Sequence, residues 1–419
     1  MRDIQADLRQ AMDAMPVADV HTHLGYGGRR QAATLADLAA YHWLHTELIR
    51  AGAPLSAAEA RENPDAYVEK AAPFFAHIRN TSNHYCFAGM LRDLYGLRDR
   101  TLTPANWRAV DAAVRAHAGD PSWIAAVLDR ANVRKVAVSL GDGRPDASDR
   151  YWLYEYGEGL FAPILHRPPG DGKKGPAFPA DPAELAESIA RGVRALAAEK
   201  GVRTFHVWIR DTWSYQPYDE TEIAALMRRA HDGDALREDE ENRLVSFSAD
   251  RLAQAAGEHR MTIQLFHGMW RYGGPKDPPC VASFWNPDFL RGLMRYAPRH
   301  PATQFDVFLG TQIPGHEAAS TARGLPNVAV SGGWWHGFTP RTLRGFFRDR
   351  LELLPHTAWN AFFSDGYMVE WIYAKLLLTK QCLSLVLAEM VDEGLLSPAD
   401  APELARKLLY ENAVSIYGV

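Results

Sequence analysis

The stretch Pro16-Val17-Ala18-Asp19-Val20-His21-Thr22-His23-Leu24 is where the chain's first strand pattern begins. Pro16 stops a helix-spaced run over residues 2–13, in which Ile4, Leu8 and Met12 share one side. Behind it, Val17 to Val20 reads as a short, mostly apolar strand that runs into two histidines. Side chains two apart on a strand point the same way, so His21 and His23 are expected to converge. Two convergent imidazoles can chelate one divalent metal. The competing reading is a chance His-x-His pair in a chain with 16 histidines. The remaining ligands must then come from other strand ends.

Working outward, residues 30–120 contain no convincing strand and read as helices over 35–51, 64–80, 85–97 and 104–117. From about residue 121 strands and helices alternate. Strands are expected at 133–140, 160–166, 202–209, 261–268, 302–310, 327–335 and 357–365, with helices at 182–200, 247–258, 287–296 and 339–354 between many of them. With the first strand this makes eight, the count of a (β/α)8 TIM barrel rather than an open doubly wound sheet. The expected fold is therefore α/β, a (β/α)8 barrel over 1–29 and 121–419, with an inserted helical cap over 30–120. No Gly-x-Gly-x-x-Gly or Walker-type loop follows a strand, which weakens nucleotide-binding alternatives. Residues 144–150 and 167–181 read as long loops, and helices over 367–393 and 398–410 finish the chain.

Composition agrees with an enzyme-sized soluble domain: 47% hydrophobic and 23% charged residues, with a net charge of -5. That balance argues against nucleic acid or an acidic membrane surface as partner. Cys86, Cys280 and Cys382 are odd in number and widely spaced, so neither a disulfide framework nor a cysteine zinc site is expected. No apolar leader or membrane span is apparent, and a cytoplasmic location is expected. A homo-oligomer is left open.

In a barrel, catalytic groups gather where the strands end. His267 closes the fifth strand, Met261-Thr262-Ile263-Gln264-Leu265-Phe266-His267, and Asp365 closes the eighth, Ala361-Phe362-Phe363-Ser364-Asp365. His21, His23, His267 and Asp365 would suit zinc or a similar first-row ion. Against this, His267 could be a structural loop histidine, and Asp365 an N-cap for the next helix. The fourth strand carries His206, with Arg210 and Asp211 beyond it, and no lysine to bridge two metals, so one ion is expected. Asp306 lies inside the sixth strand and His316 in the loop after it. Gly332-Gly333-Trp334-Trp335-His336 ends the seventh, where glycines allow close backbone approach and tryptophans wall a pocket or pack the rim. His42 and His45 share a helix face, and Arg271 could anchor a substrate anion.

These residues resemble the amidohydrolase superfamily, and within it the uronate isomerases. Val20-His21-Thr22-His23-Leu24 resembles their metal-binding start. Leu91-Arg92-Asp93-Leu94-Tyr95-Gly96-Leu97, followed by Leu102-Thr103-Pro104-Ala105-Asn106, is similar to their helical insert. Gln264 to Arg271 resembles their strand-five segment, with Phe266 as an extra residue ahead of the histidine. Val328 to Trp335 resembles their double-tryptophan strand, and Asn412-Ala413 with Tyr417 the common superfamily ending. Tyr367 stands where uronate isomerases usually carry an arginine.

The resemblance implies aldose–ketose isomerisation of a sugar acid by one divalent ion, with zinc the first expectation. Catalytic work is then expected from Asp365, Arg271 and His336, and substrate contacts from Tyr41, His45, Trp270, Arg271, Trp334, Trp335 and Tyr367. Rival readings are a metal-water hydrolase of lactones, esters or amides, a metal-dependent decarboxylase, and a non-catalytic sugar-acid or metal-binding protein.

Overall fold

The computed structural model describes residues 2–157, 179–209, 213–276, 279–283 and 285–419, without the side chains of Arg2, of residues 270–283 and of Trp335. Its strands are β1 (Val17–Asp19), β2 (Val133–Ser139), β3 (Tyr151–Tyr156), β4 (Val202–Trp208), β5 (Thr262–His267), β6 (Met269–Lys276), β7 (Pro279–Ser283), β8 (Gln304–Leu309) and β9 (Val328–Gly333). Seven of them form one sheet in the order β1-β2-β3-β4-β5-β8-β9, and every neighbouring pair is parallel. β6 and β7 form a separate antiparallel pair.

Parallel strands are covered on both faces, and the two apolar clusters reflect that. Ala18, Ala137, Trp152, Tyr154, Phe266, Phe308, Trp334 and Phe363 pack together on the inner face of the curled sheet. The alternate residues, among them Val136, Leu153, Phe205, Ile263, Leu265 and Phe305, join the larger cluster under the surrounding helices. Each such large side chain stabilises the fold by about 1.5–3 kcal/mol on burial.

Two expected strands need correction. The strand between β2 and β4 is Tyr151–Tyr156, and the expected 160–166 lies outside the described residues. The aromatic run Tyr151-Trp152-Leu153-Tyr154 was the available signal, because aromatics favour a pleated, buried surface. The expected eighth strand, 357–365, starts in a 3-10 turn (His356–Ala358) and forms no ladder. It nevertheless touches both edge strands' ends. Asn360 O accepts from Gly332 N (3.1 Å), Asp365 N donates to His21 O (3.0 Å), and His23 N donates to Gly366 O (2.9 Å).

Residues 35–115 form several short helices, including Leu35–Ala39, His42–Arg50 and Ser82–Tyr95. The single helix expected over 35–51 is broken at Tyr41, whose backbone is extended, and at His42, which has φ 37°. The region is tied to the long helix Val369–Asp392 by the buried Glu370. Its carboxylate accepts from Ala32 N, Tyr95 Oη and Trp123 Nε1. Cys86 and Cys382 are free thiols. Among the described residues no helix is long and apolar enough to cross a membrane.

Candidate metal centre

β1 ends at Asp19, so the two histidines sit on an extended tail rather than on a strand proper. The tail is held from three sides. Thr22 Oγ1 donates to Ala137 O of β2 (2.6 Å), and Thr22 O accepts from Tyr154 Oη of β3 (2.8 Å). The 365–366 backbone pairs with His21 and His23, as described above. His21 and His23 therefore converge, with ring centroids 5.0 Å apart and planes nearly perpendicular.

Asp365 completes the group. Its Oδ1 lies 3.1 Å from His23 Nε2 and 3.7 Å from His21 Nε2, and its Oδ2 accepts from Trp334 Nε1 (3.2 Å). The three donor atoms lie within 4.8 Å of one another. Ligands about 2.0–2.2 Å from a tetrahedral ion stand roughly 3.2–3.6 Å apart, so this spacing is close to what an ion needs. Asp365 adopts φ 52°, the left-handed region that aspartate tolerates better than most residues, and it turns the carboxylate toward the histidines.

The donor chemistry fits a divalent cation. Burial and the neighbouring His23 push the His21 imidazole down to about 3, so it is neutral at physiological pH. Its Nδ1 faces Gln264 Oε1 at 3.0 Å, while its buried Nε2 has no hydrogen-bond partner among the described residues. A buried nitrogen without a partner is costly unless something binds it. Burial acts to raise the Asp365 carboxyl, but the hydrogen bond and charge of His23, with Lys375 and His21, outweigh it. The group is held well below the usual carboxylate range, and so stays an anion.

His267 does not join the group. Gln264 and Phe266 face the sheet's inner side, where Phe266 meets the His21 ring at 4.7 Å. One residue further, His267 points to the opposite face and stacks on Phe289 of the helix Asp288–Tyr296, at 4.4 Å. A one-residue offset flips a strand side chain, and the extra Phe266 is that offset. His206 on β4 faces inward instead, its ring stacked on His21 at 4.8 Å. It lies outside the three-residue group. His316 is exposed and pairs with Asp349 (3.4 Å), away from the centre.

A cleft of about 240 Å³ opens beside Asp365, between the helical region and the strand ends. Tyr41, Trp334 and His336 line it. Tyr41 Oη donates to Asp365 O (3.0 Å). His336 packs against Trp43, and its buried Nε2 has no hydrogen-bond partner among the described residues. Tyr367 stacks on His23 at 4.9 Å rather than lining the cleft wall. His45 is buried in the helical region against Tyr67 Oη (2.7 Å) and does not reach the cleft. Asp306 lies beneath the centre, bound to Ser331 and Tyr417. The glycines Gly332 and Gly333 make room for Phe363 and Leu343: an added Cβ would stand 2.8 Å from each. The side chains of Trp270, Arg271 and Trp335, and residues Arg210 and Asp211, lie outside the description.

Sequence reasoning missed two charged cleft residues. Lys375 comes from the long helix, where it interrupts the apolar run Trp371-Ile372-Tyr373-Ala374 and Leu376-Leu377-Leu378. Its Nζ donates to Ser364 O (2.5 Å) and lies 5.5 Å from the rings of both Tyr41 and Phe338. A lone lysine in an apolar helix was the available signal. Glu47, which accepts from Thr81 (2.7 Å) and Asn83 (2.6 Å), is the second. Nothing in its local pattern separates it from a surface glutamate.

No protein-family model matches the chain, and no curated protein matches it by sequence. Solved structures do match over nearly the whole length. A uronate isomerase from Thermotoga maritima aligns with TM-score 0.84 at 14% identity, covering 99% of this chain and 97% of that one. A glucuronate isomerase from Caulobacter crescentus aligns with TM-score 0.78 at 17% identity, covering 100% and 94%. A uronate isomerase from Bacillus halodurans C-125 aligns with TM-score 0.75 at 18% identity, covering 100% and 96%. At these identities the likeness is one of architecture, and the chain has the fold of the uronate isomerases.

Proposed function

We propose that this protein is a metal-dependent isomerase that interconverts the aldose and ketose forms of a sugar acid. The observation that carries the reading is the convergence of His21, His23 and Asp365 beside a polar cleft, in a chain with this fold. These three residues would hold one divalent ion, with zinc the first choice for two imidazoles and a carboxylate. When bound, the ion would polarise the substrate's carbonyl and adjacent hydroxyl.

The chain's own groups divide the remaining work. Isomerisation moves one proton between neighbouring carbons and another between their oxygens. Asp365, a weak base because His23 and Lys375 stabilise its charge, suits the oxygen-bound proton. His336 suits the carbon-bound one, since burial lowers its imidazole and leaves it neutral, with Nε2 unpartnered among the described residues. Lys375, with donors to spare beyond Ser364 O, would hold the acid's carboxylate, and Glu47 would accept from sugar hydroxyls. Arg271 remains a second candidate for the carboxylate. Closure of the sheet by residues 360–366 into a (β/α)8 barrel, with 30–120 as an inserted cap, belongs to the same reading. So does a cytoplasmic location.

The test is direct. The metal-loaded protein is incubated with glucuronate and galacturonate in deuterium oxide, and the products are followed by proton NMR. The expected result is the corresponding ketose, with deuterium gained at the carbon that exchanges. Acid release from lactones, esters or amides, with no ketose from any uronate, would make the protein a hydrolase instead.

A further inference from the structure

The chain's last helix, Asn412–Tyr417, reaches the metal centre through three hydrogen bonds that all run in one sense. Tyr417 Oη donates to Asp306 Oδ2 on β8 (2.6 Å). Gln264 Nε2 on β5 donates to Tyr417 Oη (2.9 Å) and to Val20 O (2.7 Å). Gln264 Oε1 then faces His21 Nδ1 at 3.0 Å. All four side chains are fully or almost fully buried.

The direction of this chain is not arbitrary. A backbone carbonyl only accepts, so the end of Gln264 next to Val20 O must be its NH2. Its other end is therefore an oxygen, which only accepts, and His21 Nδ1 must supply the hydrogen. A neutral imidazole carries a single N–H, so Nε2 is left with a bare lone pair. That is the nitrogen without a hydrogen-bond partner, 3.7 Å from Asp365 Oδ1. In the other tautomer an N–H would point into the centre and no lone pair would be available there.

The far end of the chain is anchored as firmly. Asp306 Oδ2 also accepts from Ser331 Oγ (2.7 Å). Below Ser331 runs the fully buried Arg350, whose guanidinium donates to Val330 O and Ser331 O. A row of hydrogen bonds that ends on a carboxylate polarises every member in the same sense.

We propose that Asp306, Tyr417 and Gln264 form a positioning relay that locks His21 in the Nδ1–H tautomer, so that the C-terminal helix sets how well His21 accepts a cation. The consequence for cation uptake rests on the function proposed above; the tautomer assignment stands without it. This gives Tyr417, in the superfamily-like ending, a task at the opposite end of the chain.

The experiment uses the full chain labelled with 15N-histidine, free of metal, with the His21 signals assigned by loss in His21→Gln. In the wild type, His21 Nδ1 is expected to be protonated and Nε2 bare. Gln264→Met, of nearly equal size, should mix the two tautomers and weaken zinc binding, read by chelator competition, about 10- to 100-fold. Tyr417→Phe should weaken it several-fold, and it carries the test if Gln264→Met does not fold. An Nε2–H tautomer in the wild type overturns the relay. So do folded variants whose tautomer and zinc affinity are those of the wild type. A wild type with the assigned tautomer that takes up no zinc supports the lock and sinks the metal reading instead.

Discussion

Two strand ends that look alike in sequence have opposite fates. β1 runs into His21 and His23, and β5 ends on His267, all following apolar runs in the same parallel sheet. The first pair faces the sheet's inner side and meets Asp365; the last faces the helices and stacks on Phe289. Burial does not distinguish them, since His21 and His267 are both fully buried. What differs is the company. His21 has a supporting Gln264 and an anion nearby, whereas His267 has two aromatic rings, and its Nε2 accepts from Asn286 N (3.3 Å). A histidine at a strand end can therefore serve as a ligand only when the pleat turns it toward other donor atoms.

Exchanging the two histidines for non-ligating residues breaks the comparison most sharply. His21→Ala should weaken zinc binding by about 1,000-fold or more, since even a supporting residue commonly costs about 10- to 100-fold. His267→Phe should keep full zinc content by elemental analysis and wild-type affinity by chelator competition. Loss of metal from the second variant would restore His267 to the centre.

The same pair separates by pH. Burial holds His267 at about 4 in the folded chain, against about 6.5 when unfolded. Above 6.5 neither state binds the proton, and between 6.5 and 4 only the unfolded chain does. Stability is therefore lost as pH falls through that window, by about 3 kcal/mol at pH 4. His267→Phe should lose about that much less than the wild type between pH 7.5 and 4, as read from urea unfolding.

Within the cleft, Lys375→Met should raise KM for a uronate about 10- to 100-fold, the worth of a hydrogen bond to a charged group, with zinc content unchanged. Binding of a neutral aldose should be unaltered; an equal loss for both would remove Lys375 from carboxylate recognition. The smallest expected effect belongs to Trp334→Phe, which deletes the indole N–H to Asp365 Oδ2. A loss of about 1 kcal/mol, several-fold in zinc affinity, is expected from the same chelator competition.

Several of these features were legible in local patterns. His21 and His23 announced themselves by spacing, and Asp365 by its place after Phe362 and Phe363. The inward residues of β5 were legible too, had the alternation Thr262, Gln264, Phe266 been followed instead of the histidine's rank at the strand's end. Lys375, Glu47 and Tyr417 were not legible as site residues, because each sits on a helix rather than at a strand end and only the fold brings it to the cleft or to Gln264. The break at Tyr41 was hidden as well, since helical spacing continues across it while a tertiary contact, Tyr41 Oη to Asp365 O, accompanies the turn.

Residue order alone determined the alternation of strands and helices and the His-x-His pair, because these depend on neighbours one to four positions apart. Which histidines converge with Asp365, which lysine faces the cleft and which partner His21 Nδ1 meets were decided by the tertiary structure. Those depend on the facing of each pleat and on hydrogen bonds between residues hundreds of positions apart, such as His21 with Gln264 and Asp365. No local pattern in the chain encodes those long-range hydrogen bonds.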